Sequence, residues 1–186
     1  MRKIALAASL LFASVATVPH ANAQSRQVSP AKTYEEMLSG FESECLGVAK
    51  AMPADKYDFA PGKLKISGAK YDGVYTFAGE VKHIAQANYY FYSIVGGIKP
   101  VADMKAIGAL TSKDDIVKAL AESFAFAHKA MATLTPANAF DEIKPVDGMT
   151  SRAALAAFGV AHGYDHYGQM VEYLRMNGII PPASAK

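Results

Sequence analysis

Four stretches of roughly 20 to 28 residues place apolar side chains at intervals of three and four, the spacing that gives a helix one buried face. The first runs from about Thr33 to Met52, with Tyr34, Met37, Leu38, Phe41, Cys45, Val48, Ala49 and Met52 on its stripe. Thr33-Tyr34-Glu35-Glu36 fits a capping box at its start, and Pro53 ends it. The second, from about Thr76 to Val95, is apolar on nearly every side and stops at Gly96-Gly97. That pattern predicts heavy burial, or tyrosines exposed in a pocket or an oligomer interface. The third, about Lys113 to Leu134, has Ser112 or Thr111 as cap and two acids, Asp114 and Asp115, in its first turn. The fourth runs from about Thr150 to Asn177; Gly178 then suits a left-handed cap and Pro181-Pro182 block continuation. Residues 58–75 and 136–149 read as irregular connections. No stretch alternates strictly enough to predict a strand, so an all-α four-helix bundle is the expected architecture.

The residues ahead of the first helix read as a secretory signal peptide. Arg2-Lys3 is a positive start, Ile4 to Val18 an apolar run, and Ala21-Asn22-Ala23 a small-residue cleavage site. The apolar run is shorter than the about 20 residues that span a bilayer, so no stable membrane anchor is expected. Cleavage near Ala23 would leave residues 24–186 as one domain, exported to the periplasm or beyond. Arg2 and Lys3 also account for the whole formal charge of +2: without them, 17 basic residues face 17 acidic ones. A neutral chain without basic clusters is not a nucleic-acid binder. The single Cys45 cannot close an internal disulfide, and its place on the first helix's stripe predicts burial.

Histidines on the apolar faces carry the chemical signal. His162 and His166 are four residues apart, on a face shared with Leu155, Phe158, Gly159, Gln169, Met170 and Tyr173. Two imidazoles facing a core are costly unless partnered, and either a divalent metal or tyrosine hydroxyls would serve. His83 in the second helix is a third candidate ligand; three neutral imidazoles plus water make a catalytic-type site. Because that helix is apolar all round, periodicity alone does not orient His83 toward His162. The sequence His162-Gly163-Tyr164-Asp165-His166 lacks the Glu of the zinc-protease motif. Glu80-Val81-Lys82-His83 matches Glu-x-x-His once, whereas a di-iron bundle needs it twice with two further carboxylates. Attached-haem and serine-hydrolase motifs are missing. His128, near Phe124 and Met131, reads as a core or rim histidine with local partners.

The run His162-x-x-x-His166-x-Gly168-Gln169, followed by Tyr173-Leu174-Arg175-x-x-Gly178-Ile179-x-Pro181-Pro182, resembles the C-terminal signature of the DinB-like family. Met52-Pro53-Ala54-Asp55-Lys56-Tyr57-x-Phe59-x-Pro61 and His83-Ile84-Ala85-x-Ala87-Asn88 look like its earlier landmarks. The resemblance covers nearly all of residues 24–186 and is closest to exported members. It implies an up-down-down-up bundle, often dimeric, with a metal held by His83, His162 and His166. The family includes thiol-dependent transferases and isomerases. Cytosolic relatives commonly carry Arg after the last ligand, where this chain has Tyr167, and their thiol cofactors are cytosolic.

Besides a purely structural or oligomer-forming protein with no metal, two functions are in play. One is an exported metal-dependent enzyme of hydrolase or transferase type, in which a divalent ion (zinc or nickel foremost) keeps an open position for water or an unidentified small-molecule substrate. Glu80, Tyr90, Asp165 and Gln169 are the polar candidates beside it. The other is a non-catalytic bundle with a structural metal, Glu80 serving as fourth ligand, or with a small apolar ligand among its tyrosines.

Overall fold

A computed structural model describes residues 27–185, so the signal peptide expected at the N-terminus lies outside the described residues. Five helices carry the fold: α1 (Pro30–Ala51), α2 (Phe77–Gly96), α3 (Met104–Ala109), α4 (Lys113–Met131) and α5 (Arg152–Met176). The four long ones are those the periodicity predicts, with adjustments at their ends, including α4, which stops at Met131 rather than Leu134. α1 begins earlier than Thr33, because Ser29 accepts from the amide of Lys32 at 3.2 Å and Pro30 occupies the first turn. Thr33 is inside the helix, its hydroxyl donating back to the carbonyl of Ser29. α5 begins after Thr150, with Ser151 as its cap.

Contacts between helix ends fix the connectivity. Lys113, opening α4, donates to the carbonyl of Lys50 at the end of α1, and His128 near the end of α4 meets Glu35 and Glu42, so α1 and α4 are antiparallel. Lys82, early in α2, reaches the carbonyls of Gly108 and Leu110 just before α4, while Gly96 rests on Ala130; α2 and α4 are parallel. Gly159 lies against Tyr92 and His166 against Glu80, so α5 opposes α2. The bundle is therefore up-down-down-up, with α1 and α2 on one diagonal and α4 and α5 on the other. The parallel pair needs a long crossover, and residues 97–112 supply it, with α3 inside.

The core joins all four long helices: Leu38, Phe41 and Cys45 of α1, Ile84 and Tyr92 of α2, Leu120 and Phe124 of α4, Leu155 and Leu174 of α5. Cys45 is free and buried as expected, and burial pushes its thiol up, away from reactivity. Among the described residues, no helix is long and apolar enough to cross a membrane.

The connection 136–149 is not irregular throughout. A two-stranded antiparallel hairpin, β1 (Glu142–Val146) and β2 (Met149–Ser151), sits immediately before α5. Asp147 and Gly148 make its two-residue turn, both with positive φ (46° and 82°), as a tight hairpin of this hand requires. β1 carries Pro145 and pairs irregularly, which hides the alternation a strand would show in sequence. Arg152 then locks this end of the bundle, donating to the carbonyl of Val95 and the hydroxyl of Thr133.

Candidate metal centre

Two helices running in opposite directions bring the three histidines together. Thr76 caps α2 by accepting from Gly79, so that Glu80 and His83, three residues apart, share the face turned toward α5. α5 supplies His162 and His166 from consecutive turns. α5 can approach closely because Gly163 and Gly159 face bulky neighbours: a methyl group at Gly163 would overlap the Phe41 ring, and one at Gly159 would stand 2.8 Å from the Tyr92 hydroxyl.

One ligand atom from each of His83, His162 and His166 lies within 4.8 Å of the others. The ring centroids are 5.1, 4.5 and 4.7 Å apart for the pairs 83–162, 83–166 and 162–166. The orientation of His83 that periodicity left open is thus supplied by packing. Tetrahedral coordination at about 2.0–2.1 Å sets ligand nitrogens about 3.3 Å apart, within that 4.8 Å limit.

The surroundings suit a cation. His166 Nδ1 is 2.6 Å from Glu80 Oε2, and the Glu80 side chain is wholly buried. This bond fixes the tautomer in which Nε2 carries a lone pair, the form a metal requires. The other oxygen, Oε1, is buried without a hydrogen-bond partner. Burial lowers the pKa of His83, with help from His166 and His162 and against the pull of Glu80. Burial also lowers that of His162, reinforced by His166 and opposed by Asp165 and Asp147. Both effects favour the neutral, ligating imidazole.

Among the described residues, the cluster with metal-binding geometry contains these three histidines and no acid or Cys. Glu80, a candidate fourth ligand by sequence, has Oε2 against the far nitrogen of His166 instead. Of the other polar candidates, Tyr90 is half exposed and lines a pocket of about 400 Å³ that reaches His83 and His162. Asp165 is exposed and accepts from Gln169 at 3.4 Å, so these two engage each other on the outer face of α5. His128 is far from the cluster, its Nε2 2.8 Å from Glu42 and its Nδ1 2.6 Å from Glu35, tying α4 to α1.

Two residues at the site escaped the sequence reading. The Tyr75 ring stacks at a tilt on His83, with centroids 5.4 Å apart, and is held there by its carbonyl, which accepts from the Tyr173 hydroxyl at 3.1 Å. Burial and the charge of Glu80 push the Tyr173 phenol up to about 12, so it stays a donor. A loop tyrosine carries no periodic signal. Asp147, at the hairpin tip, also lines the pocket; its signal was the Asp147-Gly148 doublet between apolar residues.

Comparison with curated proteins gives no match. A family profile described as the DinB superfamily matches residues 37–170, a stretch that takes in all three histidines, Glu80, and most of the four long helices. The chain belongs to the DinB superfamily.

Proposed function

We propose that the protein is a metal-dependent enzyme whose divalent ion, zinc or nickel, is held by His83, His162 and His166, with a position left open toward the adjoining pocket. The observation that carries this reading is the convergence of three imidazoles beside a buried carboxylate that fixes one of them. Such an ion would activate a bound water or polarise a substrate heteroatom, chemistry of the hydrolase or transferase type. Glu80 holds the ring of His166 in register and, so engaged, does not close the coordination sphere. Phe91, Tyr90, Ala87 and Met104 supply an apolar wall that would desolvate a bound substrate. A structural-metal role would call for a fourth protein ligand, and the placement of Glu80 speaks against it.

Export belongs to the same reading: cleavage near Ala23 delivers residues 24–186 outside the cytoplasm. Intact-mass measurement of the secreted chain tests it, and an uncleaved N-terminus would count against it. The homodimer implied by the family resemblance is tested by sedimentation.

The metal assignment is tested by elemental analysis of protein purified without an affinity tag. His162→Ala and His166→Ala should each abolish stoichiometric metal, while His128→Ala should retain it. Equal metal content in all three variants would overturn the site.

A further inference from the structure

The pocket beside the histidines has an unbalanced chemistry. Its volume is about 400 Å³, enough for a molecule of one ring and a short chain, and its wall is mainly apolar. One formally charged side chain lines it, Asp147, and no Lys or Arg does. The Gln86 amide nitrogen donates to the Met104 carbonyl at 2.7 Å, which ties the start of the crossover helix α3 to α2 beside the pocket. None of the ion pairs among the described residues uses Asp147. Its position is built: a non-glycine residue held at φ 46° in a two-residue turn, on a hairpin packed against α5. Two aromatic rings, Tyr90 and Phe91, stand on the same pocket wall, 5.4 Å apart.

We infer that this pocket selects a small molecule with an apolar body and a cationic ammonium group, and that Asp147 is the specificity-determining residue. The ammonium would meet the Asp147 carboxylate, which is exposed at the mouth of the pocket, and the face of an aromatic ring, both of which attract a cation. An anionic substrate would find no lysine or arginine there and would be repelled by Asp147. The inference rests on the proposed metal centre for the direction in which the molecule lies, with a heteroatom toward His83 and His162. The recognition itself is carried by Asp147 and the aromatic wall.

The test uses the mature chain, metal-free and zinc-loaded, with zinc content measured separately. Benzyltrimethylammonium, benzyl alcohol and phenylacetate are the probes, followed by calorimetry at low salt. The first has no lone pair to coordinate an ion, so its binding reports the pocket alone. It should bind at least about tenfold more tightly than the other two to the metal-free protein. Asp147→Asn should remove that advantage without changing zinc content or thermal midpoint. Equal affinities for the three probes, a preference that survives in Asp147→Asn, or loss of zinc in that variant would each overturn the assignment. Absence of zinc uptake with the ammonium preference intact would overturn the metal centre and leave the pocket's selectivity standing.

Discussion

Glu80 is the residue on which the centre depends most after its histidines. A wholly buried carboxylate is tolerated here because one oxygen bonds to an imidazole that is itself held by α5. Glu80→Gln keeps the shape but turns a strong charged acceptor into a neutral amide. Loss of such a partner typically costs metal affinity about 10- to 100-fold, and competition titration against a chromogenic chelator should show that loss. The pH dependence follows from His83 and His162, both held below the ordinary histidine range by burial. The unfolded chain therefore binds more protons than the folded one between the lowered values and about 6.5. The stability of the metal-free protein should be flat above that range and fall as pH drops through it. Urea midpoints across pH 5 to 8 measure this, and the slope should be smaller in a His83→Gln, His162→Gln double variant.

At the scale of elements, the site exists because α5 approaches α1 and α2 closely enough to aim its histidines inward. Gly163 is the tightest point, with the Phe41 ring filling the space a side chain would take. Gly163→Ala forces Phe41 off its position against Phe124, an edge-to-face pair at 5.3 Å. Overpacking of this kind costs about 1–3 kcal/mol, readable in a denaturant midpoint. Metal uptake should weaken as well, because α5 must shift to relieve the overlap. Periodicity made the four long helices legible, since each buries one continuous stripe or, in α2, nearly its whole circumference. It did not reveal the start of α1, where Ser29 and Pro30 outcompeted the equally plausible Thr33–Glu36 box. Nor did it reveal the hairpin, whose strands of five and three residues are too short to show alternation. The Asp147-Gly148 doublet between apolar residues is the one local signal of that turn, and residues 136–149 nonetheless read as irregular.

At the scale of the molecule, the three histidines come from positions separated by nearly half the chain, on helices that meet only in the tertiary fold. The pair on α5 could be placed by spacing, because both histidines belong to one helix. The partner on α2 could not, because a helix buried on all sides offers no preferred face, and only packing against α5 and α4 decides its rotation. A metal shared between α2 and α5 therefore acts as a crosslink between the two halves of the bundle, and its binding energy adds to folding. Zinc at about 100 times its dissociation constant should stabilise the native state by about 2.7 kcal/mol. For a domain of this size each kcal/mol moves the thermal midpoint by about 2–4 °C. Scanning calorimetry with and without zinc should thus show a rise of about 5–10 °C in the parent protein. His162→Ala, lacking a ligand from α5, should show almost none, whereas His128→Ala, whose contacts join α4 to α1 away from the centre, should keep the full increment from a lower starting point. An equal rise in His162→Ala would mean that zinc stabilises the bundle from somewhere other than the three-histidine cluster.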